Sequence, residues 1–216
     1  MISVIVADDE PLVRSGIRGL LEIAEDIKVV AEAGSGTEAL LLTQRHRPDV
    51  LLLDIHMAGG DGLSTAELVC RHVRSTAVAM LTTFGYDKYV HRALRSGAVG
   101  FLLKDMPPRA LIDAVRSLAA GDAFLAPQVT RSLLATFTDR DPHRVDRARE
   151  RLAVLTTRER GVLVMLANGL SNAEIARSSD MSEGSVKAHV SRMLVKLECG
   201  NRVQLALIAY DAGLTS

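Results

Sequence analysis

The sequence has 216 residues, of which 48% are hydrophobic and 24% charged, and its 26 basic and 26 acidic side chains give a formal net charge of zero. This composition excludes a disordered or fibrous chain, and the balanced charge gives no overall indication of a nucleic-acid partner. Two cysteines, no uncharged apolar run of roughly 18 residues and an N-terminus that turns acidic after seven residues predict a soluble cytoplasmic protein without disulfides or membrane contact.

Five short apolar runs predict β-strands in the first 105 residues: Ile2–Ala7, Lys28–Ala33, Asp49–Leu53, Ala77–Leu81 and Val99–Leu103. Amphipathic stretches that predict helices alternate with them: Pro11–Glu25, Thr37–Arg47, Gly62–His72, Lys88–Ser96 and Pro108–Ala119. Most of the apolar runs are continuous rather than alternating, so both faces of each strand should be buried. The order predicts an α/β domain with a (βα)5 doubly wound parallel sheet and helices on both sides.

The character of the sequence changes after Gly121. The stretch TDRDPHRVDRARER is strongly charged and nearly free of apolar residues, which is typical of a solvated linker or of the start of an exposed helix. We therefore predict a first domain over residues 1–120, a linker over 121–151 and a second domain over 152–216.

The second domain carries helix signals and no convincing strand. Thr157, Ser171, Ser182 and Asn201 are each placed to start a helix, and Gly169 is placed to end the first. The second helix is short, and about four residues connect it to the third, which is the spacing of a helix-turn-helix. The sequence therefore predicts an all-α domain of four helices.

Polar side chains follow four of the predicted strands. Asp8 and Asp9 follow the first strand, Asp54 the third, Thr82 the fourth and Lys104 the fifth. The carboxyl ends of the strands in a doubly wound sheet share one edge, so these groups should converge there. Clustered carboxylates favour a hard cation such as Mg²⁺, and the ammonium and hydroxyl groups could bind a phosphoryl group. A single acid at a strand end is usually a helix cap or loop residue, but that reading does not account for five such groups together.

The motifs of the first domain resemble the receiver domain of bacterial two-component response regulators over roughly residues 1–120. They are Asp8-Asp9, the Asp54-Ile-His-Met stretch followed by Asp61-Gly62, the LTTF run at Thr82, and Gly100-Phe-Leu-Leu-Lys104. The resemblance implies that Asp54 accepts a phosphoryl group from a sensor histidine kinase and that Lys104 binds the phosphate. It also implies a Mg²⁺ site formed by Asp8, Asp9, Asp54 and the backbone carbonyl of His56, and a switch pair formed by Thr82 and Phe101.

The motifs of the second domain resemble the LuxR-type helix-turn-helix. They are LTTRER at Leu155–Arg160, ANGLSNAEIA at Ala167–Ala176 and SEGSVKAHVSRMLVKL at Ser182–Leu197. Joined to a receiver, they identify the chain as similar to the NarL/FixJ class of response regulators. This implies double-stranded promoter DNA as a partner, RNA polymerase as a further candidate partner, and a homodimer on activation.

The resemblance also implies which residues touch DNA. The third helix of the domain would enter the major groove, where Lys187, Ala188 and Ser191 match base-facing positions. Four positions match phosphate contacts: Ser182, Val186 through its backbone, Lys196 and Arg202.

The sequence departs from the family pattern at a few positions. Ala58 replaces the proline common after the phosphoacceptor, so the Ala58-Gly59-Gly60 loop should be more flexible. In the second domain Gly161 lies within a predicted helix, Ser179 replaces a buried leucine, and Glu198 replaces a glycine. These changes predict a less stable DNA-binding domain with an unchanged function.

Two other functions remain open at this point. The fold could belong to an atypical regulator that does not depend on phosphorylation. The chain could instead be an aspartyl-phosphate enzyme, although His56 stands where such enzymes generally carry a second acid. We expect a regulator rather than an enzyme.

Overall fold

The computed structural model describes residues 1–57, 60–83, 92–93, 96–125 and 142–215. The chain divides into two compact units, Met1–Leu133 and Leu134–Ser216. Ala58 and Gly59 lie outside the described residues, as do most of the predicted helix Lys88–Ser96 and residues 126–141 of the predicted linker. Among the helices of the described ranges, none is long and apolar enough to cross a membrane.

The first unit is built on a parallel sheet. Its strands in chain order are β1 (Ile2–Ala7), β2 (Ile27–Ala33), β3 (Val50–Asp54), a short antiparallel pair β4 (His56–Met57) and β5 (Gly60–Asp61) outside the main sheet, β6 (Ala77–Thr82), β7 (Gly100–Leu103) and β8 (Phe124–Leu125). The order across the main sheet is β2-β1-β3-β6-β7-β8. The five predicted strands are present, and β8, which pairs with β7, is too short to give a sequence signal.

Helices cover both faces of this sheet. They are α1 (Pro11–Leu21), α2 (Gly36–His46), α3 (Gly62–His72) and α4 (Pro108–Ala119). The helices α1 and α4 contact each other, and so do α2 and α3. Apolar side chains of α1 and α4 form one core with Val4, Val6 and Leu52 of the central strands. The intervening residues Ile5, Leu51 and Leu53 are also fully buried, because the other face is covered as well. Burial on both faces explains why the strands read as continuous apolar runs.

The second unit is helical in its described part. Its helices are α5 (Pro142–Leu152), α6 (Thr157–Ala167), α7 (Asn172–Ser179), α8 (Glu183–Lys196) and α9 (Arg202–Asp211). The last four correspond to the four predicted helices. The turn between α7 and α8 spans residues 180–182, which is the tight connection expected for a helix-turn-helix.

All but the last residue of helix α5 lies within the segment predicted as a linker, and the helix packs onto the other helices of the second unit. Ala148 and Leu152 are buried in the core of that unit. Arg149 donates a hydrogen bond to the carbonyl of Ala212, beyond the end of α9, and Arg151 donates one to the carbonyl of Leu197 at the end of α8. These contacts could not be predicted from the strongly charged sequence. Two apolar residues four positions apart are enough to bury one narrow face of a helix, and so short a pattern gives little signal.

The helix N-termini of this unit agree with the sequence except at one position. Ser171, Ser182 and Asn201 cap α7, α8 and α9 through their side chains. The cap of α6 is Thr156, and the prediction of Thr157 was wrong by one residue. Thr156 is the capping residue because Glu159 lies three positions later and completes a capping box with it.

Two of the departures noted in the sequence have visible consequences in this unit, one in the backbone and one in a side-chain hydrogen bond. Glu198 adopts a left-handed conformation with φ of 52° after the end of α8, where a glycine would be unstrained. The hydroxyl of Ser179 donates to the carbonyl of Ile175 one turn back, so this side chain adds a local hydrogen bond where a leucine would add apolar contact.

Replacing Gly161 with alanine is expected to stabilise the second unit by about 1 kcal/mol, because this glycine lies inside α6. A Cβ atom there would meet nothing within 4 Å. The same change at Gly169, where φ is +85°, should destabilise it by roughly 1 kcal/mol, since the left-handed region disfavours a side chain. Thermal unfolding of the two variants and the wild type measures both effects, and shifts of the same sign would contradict this account of the backbone.

Candidate functional site

Two carboxylates meet at the carboxyl edge of the sheet. Asp8 directly follows β1 and Asp54 ends β3, and these strands are adjacent with Ala7 opposite Leu53. Both side chains are buried, with relative exposures of 0% for Asp8 and 5% for Asp54. Two buried acids side by side require a positive charge near them.

Lys104 supplies that charge. It follows β7, and its Nζ lies 2.7 Å from Oδ2 of Asp8 and 3.1 Å from Oδ2 of Asp54. Burial would lower the pKa of Lys104, but the hydrogen bonds with the two aspartates outweigh it and raise that pKa. Burial raises the pKa of Asp54, against the opposing effect of its hydrogen bond with Lys104. The structure thus brings these three predicted residues into direct contact.

The loop after β1 carries further acids. The carboxylate oxygens of Asp8, Asp9 and Glu10 all lie within 4.8 Å of one another. Oδ1 of Asp8 accepts a hydrogen bond of 2.9 Å from the amide of Glu10, and the carbonyl of Asp8 accepts one of 2.6 Å from the guanidinium of Arg14. Sequence reasoning missed Glu10 and Arg14: Glu10 stands in the visible acidic run, but nothing in the sequence of α1 marks Arg14 as a neighbour of this loop.

Gly62 permits a close approach between the start of α3 and the backbone of Asp54. It is the first residue of α3, and its amide donates a 3.0 Å hydrogen bond to the carbonyl of Ile55. A Cβ atom at this position would overlap the carbonyl oxygen of Asp54. The start of α3 can therefore approach the end of β3 this closely only because residue 62 is glycine.

The two predicted switch residues lie in neighbouring strands: Thr82 ends β6, and Phe101 lies in β7 opposite Met80. Thr82 is 3% exposed, and its hydroxyl donates to the carbonyl of Thr83 at 2.9 Å. Phe101 is 1% exposed, so its ring lies inside the unit. The backbone amide of Lys104 donates a 2.8 Å hydrogen bond to the backbone carbonyl of Thr82, which links the end of β6 to the residue that follows β7. His56 follows Asp54 by two residues in β4 and has an exposed side chain.

Replacing Lys104 with methionine should destabilise the first unit by about 3 kcal/mol near neutral pH, because two buried carboxylates lose their counter-ion. Without Lys104 the pKa of Asp54 should rise further, because burial and the charge of Asp8 raise this pKa and Lys104 no longer counteracts them. A group whose pKa is higher in the folded than in the unfolded chain stabilises the fold below its unfolded pKa, and that contribution is lost as the pH rises through the folded value. The destabilisation caused by Lys104→Met should therefore become smaller as the pH falls towards about 4.

Urea unfolding at neutral and mildly acidic pH measures this pH dependence. The matched control is Lys28→Met, which removes an exposed lysine of the same unit and should change stability by less than about 0.5 kcal/mol. A loss in Lys104→Met that is the same at both pH values would contradict the assigned role of the ion pair.

The second candidate site is the exposed face of α8. Lys187, Ala188 and Ser191 are exposed and lie within about one turn of each other. Val186, Val190 and Met193 on the other side are buried in the core of the unit. The helix therefore presents the three predicted base-facing residues on one accessible surface.

The four predicted phosphate contacts differ in their surroundings. Ser182 is exposed and caps α8. The amide of Val186 already donates to the carbonyl of Ser182, which is the first hydrogen bond inside the helix, so it is not a free donor for phosphate. Lys196 pairs with Glu159, with 2.8 Å between Nζ and Oε2.

Arg202 is largely buried. It is 7% exposed, and its guanidinium donates to Oδ1 of Asn172 and to the carbonyl of Leu170. These bonds join the start of α9 to Leu170 and Asn172, so the guanidinium already has partners inside the domain, and the phosphate contact at Arg202 stays a prediction. An arginine after a helix cap does not reveal this burial in sequence.

Comparison with known proteins identifies the family of each unit. Residues 4–116 match the family described as response regulator receiver domain, and residues 153–209 match bacterial regulatory proteins of the luxR family. The uncharacterized transcriptional regulatory protein YxjL of Bacillus subtilis (strain 168) is 38% identical over 213 residues, which cover 99% of this chain and 97% of the relative.

Two further matches extend over both units. The nitrate/nitrite response regulator protein NarL of Escherichia coli (strain K12) is 37% identical over 211 residues, covering 97% of this chain and 95% of the relative. The solved structure of the two-component response regulator RcsB–DNA complex is 28% identical with a TM-score of 0.56, covering 97% of this chain and 98% of that one. The chain therefore belongs to the NarL/FixJ class of response regulators, in which a receiver domain is joined to a LuxR-family DNA-binding domain.

Proposed function

We propose that Asp54 accepts a phosphoryl group from a sensor histidine kinase in the cytoplasm, and that this modification controls binding of the second unit to promoter DNA. The observation that carries the proposal is the position of Lys104, whose ammonium lies within 3.1 Å of carboxylates from two different strands. The site combines a buried carboxylate nucleophile with a fixed positive charge, which is the combination that phosphoryl transfer to an aspartate requires.

Asp8, Asp9 and Asp54, together with the backbone carbonyl of His56, would hold Mg²⁺. The donors fit this ion because they are all oxygens and because the carboxylates of Asp8 and Asp9 are clustered. The contact of Lys104 with Asp8 and Asp54 is further support, since it places a cation between them. Glu10 belongs to the same acidic cluster and is a further candidate ligand through water. When bound, Mg²⁺ supplies charge neutralisation to the transferring phosphoryl group.

The chain's own residues would carry the remaining steps. A carboxylate oxygen of Asp54 attacks phosphorus as the bond between phosphorus and the donor histidine nitrogen breaks, and the electron pair of that bond leaves with the histidine. The product carries about −1.5 to −2 charges, as other phosphorylated side chains do. Lys104 pairs with a phosphoryl oxygen, and the hydroxyl of Thr82 exchanges its present acceptor, the carbonyl of Thr83, for another.

The switch would pass through Thr82 and Phe101. A hydroxyl that turns towards the phosphoryl group would vacate space at the end of β6, and the ring of Phe101, which is 1% exposed, would point inward in that form. This biases a two-state receiver towards a form that dimerises or that releases its DNA-binding domain. RNA polymerase is a further candidate partner of that form.

On the DNA, α8 would enter the major groove. Lys187 is placed to reach guanine O6 and N7, Ser191 to contact a base edge, and Ala188 to make an apolar contact. Ser182 would contact phosphate at the start of the helix. The likeness to the RcsB–DNA complex supports DNA as the partner, and a dimer would read half-sites about one DNA turn apart.

Incubation of the full chain with acetyl phosphate and Mg²⁺ tests the proposal. Intact mass measurement should show the gain of one phosphoryl group, which hydroxylamine removes because an acyl phosphate is labile to it. Affinity for duplex DNA selected from a random library should rise in parallel. A chain that takes up no phosphoryl group, yet binds the selected duplex with the same affinity, would instead be a phosphorylation-independent regulator.

A further inference from the structure

Glu159 is a buried acid in the DNA-binding unit, with a relative exposure of 2%. It lies in the first turn of α6, where it closes the capping box: its carboxylate accepts hydrogen bonds from the amide of Thr156 at 2.8 Å and from the Thr156 hydroxyl at 2.9 Å. The other capping box of this unit, at the start of α7, is closed by Glu174, which is exposed. A buried one needs a further partner for its negative charge.

That partner comes from the predicted DNA-reading helix. Nζ of Lys196, in the last turn of α8, lies 2.8 Å from Oε2 of Glu159. One turn earlier, Nε of Arg192 lies 3.9 Å from Oε1 of the same carboxylate. The C-terminal half of α8 is therefore attached to the N-terminus of α6 by charges, in addition to the apolar contacts made by Val190 and Met193.

The surroundings of Glu159 favour its ionised form. The hydrogen bond from Lys196, followed by that from the Thr156 amide, lowers the pKa of Glu159 to about 2. Removal of Lys196 would leave a buried carboxylate without its main counter-charge, which is costly in a folded protein. The ammonium of Lys196 is consequently engaged within the domain, and a DNA phosphate would have to compete with this carboxylate for it.

We infer that Lys196 is a positioning residue that sets the orientation of α8 through Glu159, and that it does not serve as a phosphate contact. This inference rests on the proposed placement of α8 in the major groove. Its consequence is that base reading by Lys187 and Ser191 depends on a carboxylate that itself never faces the DNA.

The two roles predict different salt dependences. A lysine that neutralises one phosphate contributes about one unit to the slope of log affinity against log salt concentration. For Lys196→Met we expect an unchanged slope and a roughly tenfold loss of affinity for the selected duplex, the loss that follows from misplacing one base-contacting side chain. Affinity for a scrambled duplex should stay nearly constant, so the ratio of specific to non-specific affinity falls.

Glu159→Gln is the decisive second variant, because the two roles predict opposite results for it. If Lys196 acts through Glu159, removing the carboxylate charge should reproduce the roughly tenfold loss of specific affinity. If Lys196 binds phosphate, the same change frees the ammonium from its intramolecular partner and should leave DNA affinity unchanged or raise it. Lys196→Arg keeps a charged donor and should restore most of the specificity ratio, which a purely steric defect would not allow.

The experiment uses the full chain with acetyl phosphate and Mg²⁺, a duplex selected with the wild type, and a scrambled duplex of the same length. Thermal unfolding of each variant verifies that it is folded at the temperature of the binding assay. A salt slope reduced by about one in Lys196→Met, with normal binding by Glu159→Gln, would overturn the positioning role alone. Failure of the wild type to prefer any duplex would instead overturn the proposed function.

Discussion

Asp54→Asn is expected to abolish phosphoryl uptake from acetyl phosphate and, with it, the phosphate-dependent gain in DNA affinity. The amide that replaces the carboxylate is nearly the same size, so it preserves the packing at the end of β3 but is a poor nucleophile. Basal DNA affinity should remain, because the residues proposed to read DNA belong to the other compact unit. Intact mass and duplex binding, each with and without acetyl phosphate, measure both parts of the result.

Asp113→Asn is the matched control for this variant. Its carboxylate lies on α4 and is 65% exposed, so it is as available to acetyl phosphate as any surface acid. This control should take up a phosphoryl group and gain DNA affinity like the wild type. A phosphorylated Asp54→Asn protein would mean that another residue is the acceptor, and the proposed function would then fail at its central site.

Gly62→Ala should destabilise the receiver by on the order of 3 kcal/mol, because the added methyl group meets backbone and no flexible side chain is there to move aside. The new Cβ atom would overlap the carbonyl oxygen of Asp54 and lie 3.0 Å from the carbonyl oxygen of Ile55. Relief requires α3 to move away from β3, and this displaces the segment that follows Asp54. A shift of about 1 Å at a reacting group can cost roughly a hundredfold in rate.

Gly16→Ala separates this steric effect from a general effect of losing a glycine. Gly16 lies inside α1 in the same unit, and a Cβ atom there meets nothing within 4 Å. That variant should be more stable by about 1 kcal/mol and should be phosphorylated at the wild-type rate. Denaturant unfolding and the rate of mass gain with acetyl phosphate give the two measurements, and a Gly62→Ala protein that matches the wild type in both would refute the close contact.

Much of the receiver could be predicted because its signals are local. Each central strand is buried on both faces, so Val50–Asp54 and Ala77–Thr82 read as apolar runs. The convergence of Asp8, Asp54 and Lys104 then follows from topology alone, since parallel strands place their carboxyl ends at one edge. Arg14 could not be found in this way, because its contact with the carbonyl of Asp8 depends on the exact angle at which α1 crosses the sheet.

The roles of single residues in the DNA-binding unit were harder to predict, because burial determines whether a cationic side chain is available to a DNA phosphate. Arg202 and Lys196 match phosphate-contacting positions of the family, yet the structure gives both of them partners inside the domain. The sequence did contain one unused signal. Thr156 and Glu159 have the spacing of a capping box, and recognising it would have corrected the start of α6 and marked Glu159 as a residue with two donors already in place.

The docking of α5 determines where the DNA-binding half can be separated from the receiver. The family match to the second unit begins at residue 153, one residue after α5 ends. A fragment cut there would lose the buried side chains of Ala148 and Leu152 and the two arginines that bind the carbonyl ends of α8 and α9. A DNA-binding fragment should therefore retain the second half of α5, and a fragment that begins after this helix should be less stable because it lacks these contacts.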